Sequence, residues 1–183
     1  MIEPKVAWLA NVGDSRAYHF RDGEIIARTE DHSWVDEQVK QGLMTREEAE
    51  SDRRKNLVTR SIGTHPAIEA DSYRWSLVPG DILLLCTDGL VNMVKDAAIT
   101  EIVNQPLLAE DIAKALVDKA NENGGKDNIT VVVAIIDPDP KRIKYLRAKA
   151  FFRNKGISLK KILYLGGYGL ACFILGYLAR TIF

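Results

Sequence analysis

Apolar and polar residues alternate along the first part of the chain in the manner of half-buried β-strands. Three such segments, residues 5–12, 15–20 and 24–29, are separated by turn residues, among them the pair Gly13 and Asp14. Alternating segments joined by short turns predict an antiparallel meander at the start of a domain.

Signals for helices come next in the sequence. Residues 33–42 and the capping box of Thr45 and Glu48 predict two short polar helices. Further along, Asp96 is predicted to cap another helix, and apolar residues at helical spacing predict a longer helix over residues 108–121. Strands and helices grouped in this way indicate an α+β domain.

An uninterrupted apolar run, residues 82–86, predicts a strand buried on both faces, and it leads into Asp88. Asp14 follows another predicted strand, and Asp127 precedes the last one, residues 129–136. Carboxylates at strand ends are the oxygen ligands that Mg²⁺ and Mn²⁺ prefer. Asp88 taken alone also fits an ordinary Asp-Gly turn. The spacing leaves both interpretations open.

Charge is segregated along the 183-residue chain, although its formal net charge is zero. No acidic residue follows Asp139, whereas ten Lys and Arg residues do, which leaves a net charge of −10 in residues 1–140. We therefore divide the chain into a globular domain, residues 1–138, and a basic tail. The acidic domain gives no indication of nucleic-acid binding.

The tail contains an uncharged apolar segment, residues 162–179. As a helix it would be about 27 Å long, close to the hydrocarbon thickness of a bilayer. The basic residues of a linker, residues 139–161, precede it, so the positive-inside rule predicts a single-pass membrane protein with its domain in the cytoplasm. A buried core helix is the alternative for the apolar segment, and a solvated loop is the alternative to an interfacial helix for the linker.

The cysteines and histidines indicate no site. Cys86 lies in the predicted central strand and Cys172 in the predicted membrane helix, so both are interpreted as small buried residues and not as disulfide partners. His19, His32 and His65 lack the spacing of metal ligands. The sequence therefore gives no convincing Ser/His/Asp or Cys nucleophile.

Five separated motifs stand out in the globular domain. They are NVGDSRAY from Asn11, EDHS from Glu30, TRSIG from Thr59, GDILLLCTDGL from Gly80 and GGKDNIT from Gly124. In order and interval they resemble the later motifs of the metal-dependent PP2C-type protein serine/threonine phosphatases, over about residues 5–137. The resemblance implies part of an α/β/β/α sandwich, in which two antiparallel sheets are flanked by helices. The tail is similar to the membrane anchors of some bacterial members.

The resemblance also implies a metal site. By motif, Asp88 and Asp127 resemble aspartates of the family's binuclear site, and Asp14 resembles the acid that helps hold a third, weaker ion. Gly89 and Asn128 stand beside these ligands, and Asn128 is expected to form hydrogen bonds and not to bind metal. Two or three Mn²⁺ or Mg²⁺ ions would activate water for attack on phosphorus, so no catalytic residue is expected beyond the ligands.

Part of the family pattern is absent. The phosphate-binding Arg and the bridging Asp-Gly pair of these phosphatases do not occur upstream of Val6. We therefore expect an incomplete, membrane-anchored phosphatase that is inactive alone; a missing N-terminal half would complete it in cis or in trans. Its expected partners are phosphorylated proteins, including a serine/threonine kinase and its substrates. A non-catalytic remnant acting as a binding module and an unrelated β-sandwich adaptor are the alternatives.

Residues 31–57 resemble the family's mobile flap.

Overall fold

The computed structural model describes residues 6–64 and 67–136, and the strands in these ranges form two antiparallel sheets. The strands are β1 (Val6–Asn11), β2 (Arg16–Arg21), β3 (Glu24–Arg28), β4 (Asp71–Ser76), β5 (Ile82–Cys86) and β6 (Val131–Ile135). The larger sheet has the order β3-β2-β5-β6, and β1 pairs with β4 in the smaller one. The expected α+β architecture with two antiparallel sheets is confirmed.

The described residues also form five helices. These are α1 (Trp34–Lys40), α2 (Arg46–Ser51), α3 (Asp88–Val91), α4 (Asp96–Val103) and α5 (Ala109–Glu122). The predicted capping box is present, since Thr45 and Glu48 each bond the other's backbone N–H through a side-chain oxygen. The prediction for Asp96 is wrong: Lys95 is the cap residue, and the Asp96 carboxylate instead accepts hydrogen bonds from two side chains of the larger sheet.

The hydrophobic core lies between one face of the larger sheet and the helices that follow β5. On α5, Ile112, Leu116 and Ala120 recur every four residues and are all buried, as expected for the inner side of an amphipathic helix. The rest of the buried cluster comprises Tyr18, Phe20, Leu84, Cys86, Leu90, Val94, Ile99 and Val103. This packing fixes the ends of β2 and β5, where two of the candidate acids lie.

The opposite face of the larger sheet is only partly covered. The smaller sheet contacts it at His19, on which Trp75 stacks with the ring centroids 5.7 Å apart. Leu85 and Val132 lie on the same face and remain 44% and 55% exposed. The prediction that β5 is buried on both faces therefore holds on the helix side and fails at Leu85.

The predicted meander is wrong in its first connection. β2 and β3 pair as predicted, but β1 pairs with β4, a strand that the sequence pattern did not reveal. Between β1 and β2, the Gly13 N–H donates to Nδ1 of His32 over 3.1 Å, and the Gly13 carbonyl accepts from the His32 N–H over 2.9 Å. β1 and β2 belong to different sheets, so the turn between them does not close a hairpin.

The predictions about the tail lie outside the described residues. They concern the basic linker, residues 139–161, the apolar segment, residues 162–179, and Cys172; His65 is outside as well. Within the part of the chain that the structure describes, no helix is long and apolar enough to cross a bilayer.

Candidate metal centre

Asp88 and Asp127 are brought to one edge of the larger sheet by the pairing of β5 with β6. Asp88 follows β5 and Asp127 precedes β6, and the antiparallel ladder continues from the strands into the adjoining loops. The Thr87 N–H donates to the Thr130 carbonyl over 3.1 Å, and the Thr87 hydroxyl donates to the Asn128 carbonyl over 3.0 Å. These bonds join the start of α3, which carries Asp88, to the loop before β6, which carries Asp127.

Gly89, in α3, allows this short helix and the loop of Asp127 to approach closely. A Cβ at this position would lie 2.4 Å from the carbonyl oxygen of Asn128, well inside van der Waals contact. Any side chain at residue 89 would therefore push the loop of Asp127 away from Asp88. The sequence placed Gly89 beside a ligand, and the close packing gives the physical reason for glycine there.

Asp14 reaches the same region from the turn between β1 and β2. It lines, with Asp88, a cleft of about 330 Å³. Burial raises the pKa of Asp88, and the charges of Asp14 and Asp127 raise it further. Asp14 and Asp127 are thus each close enough to Asp88 for their charges to disfavour its ionised form, and an added cation would offset this repulsion.

The donor set suits part of a site for a hard cation. Asp88 and Asp127 offer carboxylate oxygens, and Mg²⁺ is commonly held by one or two carboxylates while water completes its octahedral shell. Within residues 6–64 and 67–136, no group of three or more acids, histidines or cysteines is arranged to hold an ion. The described residues therefore offer carboxylate oxygens to a hard cation without forming a complete site among themselves.

Asn128 contacts the site through its backbone. Its N–H donates to Oδ1 of Asp127 over 2.7 Å, and its carbonyl accepts from the Thr87 hydroxyl. The expected hydrogen bonding by its side chain stays a prediction. Asp88 is steadied by another amide, because Nδ2 of Asn92 donates to its Oδ2 over 3.3 Å.

A polar network that was not predicted from the sequence lies beside the acids. Nε and Nη2 of Arg16 donate to the two carboxylate oxygens of Asp31 over 2.8 Å and 2.7 Å. Nη1 of Arg16 donates to the Tyr18 hydroxyl over 3.2 Å, and that hydroxyl donates to Asp96 over 3.0 Å. Burial raises the pKa of Tyr18, so its hydroxyl keeps its proton. Arg16 and Tyr18 at alternate positions of a strand were the available signal.

The segment that resembles a flap forms one wall of the cleft. Residues of α1 and α2 line it together with the acids. The Arg54 guanidinium lies over the Trp34 ring, 3.6 Å from its centroid, and an ion pair between Lys95 and Glu50 joins α2 to the start of α4. Acidic and basic side chains therefore line both the sheet side and the helical side of the cleft.

Comparison with known proteins identifies relatives for the globular domain. A family model described as "Protein phosphatase 2C" matches residues 1–129. The serine/threonine phosphatase stp of Listeria innocua is 40% identical over 125 residues, which cover 68% of this chain and 50% of the relative.

The similar solved structures are also those of serine/threonine phosphatases. The serine/threonine phosphatase of S. agalactiae has a TM-score of 0.68 and 41% identity, over 72% of this chain and 54% of that one. The catalytic domain of the serine threonine protein phosphatase PstP, in complex with two manganese ions, has a TM-score of 0.61 and 37% identity, over 72% of this chain and 54% of that one.

These matches follow the five motifs and the two-sheet architecture. The chain spans about half the length of the curated relatives it matches. The family model matches well over half of the chain, and the solved relatives share both sequence and fold with it. The chain belongs to the protein phosphatase 2C family.

Proposed function

We propose that this chain supplies one part of the active centre of a metal-dependent protein serine/threonine phosphatase, which hydrolyses phosphoserine and phosphothreonine esters. The observation that carries the proposal is the close approach of the two segments that carry the acids, the start of α3 with Asp88 and the loop with Asp127. Two hydrogen bonds from Thr87 join these segments, and the missing side chain of Gly89 leaves room for the contact.

The chemistry follows from this donor set. Bound Mn²⁺ or Mg²⁺ supplies an activated water and neutralises charge on the phosphoryl oxygens. Asp88 and Asp127 would hold the ions of the binuclear site, and Asp14 would help hold a third, looser ion. The negative charge of the carboxylates would balance the positive charge of the cations. Without cations the carboxylates would repel a phosphate dianion, so this end of the sheet can accept one only when cations are bound.

The described residues do not favour covalent catalysis by cysteine. Burial raises the pKa of Cys86 to about 12, so its sulfur stays a thiol at neutral pH, and the side chain packs in the core. His19 and His32 are buried and bonded to other groups. Activation of water by metal is the route that these residues support best.

We further propose that another polypeptide segment, the other half of a phosphatase domain, covers the exposed face of the larger sheet. Trp8 is 74% exposed and, with Leu85 and Val132, lines an apolar groove of about 440 Å³ between the sheets. Exposed apolar surface of this kind is typical of an interface. The chain spans about half the length of the relatives, and the proposed occupant is the equivalent of the part of them that it does not match, linked in cis or in trans.

The second candidate is a non-catalytic binding module. It is favoured by the absence, within residues 6–64 and 67–136, of any group of three ligand-type residues arranged for an ion. Both candidates predict binding of phosphorylated proteins, such as a serine/threonine kinase and its substrates, and only the first predicts hydrolysis.

A phosphatase assay on a phosphothreonine peptide separates the two candidates. The chain would be assayed alone and with the N-terminal half of a relative, in Mn²⁺. We expect activity only in the mixture, with a loss of at least about a hundredfold in Asp88→Asn and Asp127→Asn and a smaller loss in Asp14→Asn. Asp118→Asn is the control, since this exposed acid pairs only with Lys114 on α5. Peptide binding without hydrolysis in every mixture would favour the binding module.

We also propose that the tail anchors the domain at the cytoplasmic face of a membrane. The proposal rests on the 18 uncharged residues of 162–179 and on the basic residues before them. In intact cells, with Cys86 and Cys172 replaced by alanine, a Thr181→Cys variant should react with an impermeant thiol reagent and an Asp139→Cys variant should not. The reverse labelling would invert the topology, and labelling of neither would contradict a spanning tail.

A further inference from the structure

His32 is a buried histidine that forms two hydrogen bonds with the turn that carries Asp14. Its side chain is 3% exposed, and Nδ1 accepts the Gly13 N–H over 3.1 Å. Its own N–H donates to the Gly13 carbonyl over 2.9 Å. Both polar backbone groups of Gly13 are therefore bonded to one residue, 19 positions further along the chain.

The bond from Gly13 fixes the tautomer of the imidazole. Because an N–H donates to Nδ1, that nitrogen carries no proton and the ring proton is on Nε2. Nε2 is buried, and it lies 3.3 Å from a carboxylate oxygen of Asp71, the first residue of β4, without the geometry of a hydrogen bond. Asp71 in turn pairs with Arg60 over 2.9 Å. The imidazole thus stands between the start of β4 and the turn after β1.

The two hydrogen bonds between His32 and Gly13 act on a turn whose backbone conformation is restricted little by glycine itself. Gly13 has a φ of 110°, which residues with a side chain rarely adopt, and its neighbour Asp14 lines the same cleft as Asp88. An unrestrained glycine samples many conformations, each aiming the next side chain differently. One hydrogen bond to the buried imidazole of His32 and one from its backbone N–H select one of them.

We propose that His32 is a positioning residue for Asp14: by accepting the Gly13 N–H at Nδ1 it sets the turn that directs the Asp14 carboxylate toward Asp88. The inference rests on the proposed function in one respect, namely that Asp14 is a metal ligand. The hydrogen bonds between His32 and Gly13 do not depend on that assignment. His32 touches neither substrate nor metal in this account and acts through Gly13 alone.

His19 provides a matched comparison within the same fold. It is as deeply buried as His32 and also faces a carboxylate, with Nε2 2.8 Å from Asp81. Its contacts lie with Asp81 and the Trp75 ring, away from the turn at Gly13. Replacing His19 should disturb the fold to a similar extent and leave the Asp14 turn as it was.

Side-chain geometry supplies a rescue test. Asn places its oxygen at the same number of bonds from Cα as Nδ1 of histidine, whereas Gln places its polar atoms where Nε2 stood. His32→Asn should therefore keep the acceptor for Gly13, and His32→Gln should lose it. Hydrogen exchange of the Gly13 amide, followed by NMR on the full 183-residue chain in mild detergent, reports on this bond directly.

We expect the Gly13 amide to exchange about tenfold faster in His32→Gln and within about threefold of wild type in His32→Asn and His19→Gln. Equal acceleration in His32→Gln and His19→Gln would overturn the proposal. If His32→Gln does not fold, rapid exchange in a folded His32→Asn would overturn it as well.

Titration of the same samples with a divalent cation separates this inference from the proposed function. For this comparison the diamagnetic Mg²⁺ replaces Mn²⁺, because Mn²⁺ bound anywhere in the cleft would broaden both residues. In wild type, Mg²⁺ should shift the amide resonances of Asp14 and Asp88; in His32→Gln the shift at Asp14 should need at least about threefold more Mg²⁺, with Asp88 unchanged. Equal loss at both residues would contradict a role through Gly13. No shift in wild type would contradict the proposed metal site, while the exchange rates would still decide the role of His32.

Discussion

Replacing Gly89 with alanine tests the contact that brings Asp88 and Asp127 together. The new Cβ would lie 2.4 Å from the carbonyl oxygen of Asn128 and 3.0 Å from its carbonyl carbon. Ordinary contacts of this type begin at 3.4 Å, so the two segments must separate by about 1 Å to admit the methyl group.

Two effects of opposite sign contribute to the stability of the Gly89→Ala variant. Alanine in a helix is favoured over glycine by up to about 1 kcal/mol, and Gly89 lies in α3. Overpacking at a buried contact costs about 1–3 kcal/mol. The clash is with backbone, which cannot rotate out of the way as a side chain can, so overpacking should prevail. We expect the free energy of unfolding to fall by about 1–2 kcal/mol.

Urea denaturation and a Mn²⁺ titration by electron paramagnetic resonance would measure both consequences. Gly80→Ala is the control: its φ of 97° strains any side chain, but a Cβ there meets nothing within 4 Å. Both variants should lose about 1–2 kcal/mol of stability, since a positive φ carries a similar penalty. Only Gly89→Ala should also bind Mn²⁺ at least about tenfold more weakly. Unchanged stability and Mn²⁺ affinity in Gly89→Ala would refute the close approach of the two segments.

Three further predictions concern stability; urea denaturation measures the first and the third, and hydrogen exchange measures the second. Asp81→Asn should lower the free energy of unfolding by about 3 kcal/mol at neutral pH, because the buried carboxylate accepts two hydrogen bonds from Arg21. Those bonds hold the pKa of Asp81 below its usual value, so its contribution is present above about pH 4 and is lost as pH falls further; the difference from Asp81→Asn should shrink there. Thr45→Ala removes the capping box and should cost about 1 kcal/mol in the local stability of α2, measured by hydrogen exchange. Arg16→Met leaves Asp31 buried without its cation and should cost about 3 kcal/mol; little loss at neutral pH would contradict the importance of this pair.

The sequence predicted the elements that carry their own local signal. The apolar run of β5, the capping box before α2 and the amphipathic pattern of α5 each depend on residues close together in the chain. β4 was missed because its sequence, DSYRWS, holds only two large apolar residues and becomes a strand through pairing with β1. β1 and β2 lie in different sheets because β1 pairs with β4, a contact between residues far apart in the sequence.

For the candidate site, the residues could be predicted from the sequence, but their arrangement in space could not. Asp14, Asp88 and Asp127 could be chosen from their positions at strand ends and from the motifs. Their convergence needed the register of β5 and β6, and the necessity of Gly89 needed the distance to Asn128. The Arg16 to Asp31 pair joins two motifs whose residues gave no reason, by themselves, to meet.

Mn²⁺ affinity in a double-mutant cycle of Asp88 and Asp127 tests most directly whether these two acids share an ion. The chain alone, with two protein carboxylates per ion, should bind Mn²⁺ more weakly than about micromolar. Asp88→Asn and Asp127→Asn should each weaken binding at least about tenfold, and the double variant should be little weaker than either one, because the remaining ligand no longer holds the ion well. Independent, additive losses, or affinities equal to that of the Asp118→Asn control, would contradict a shared site.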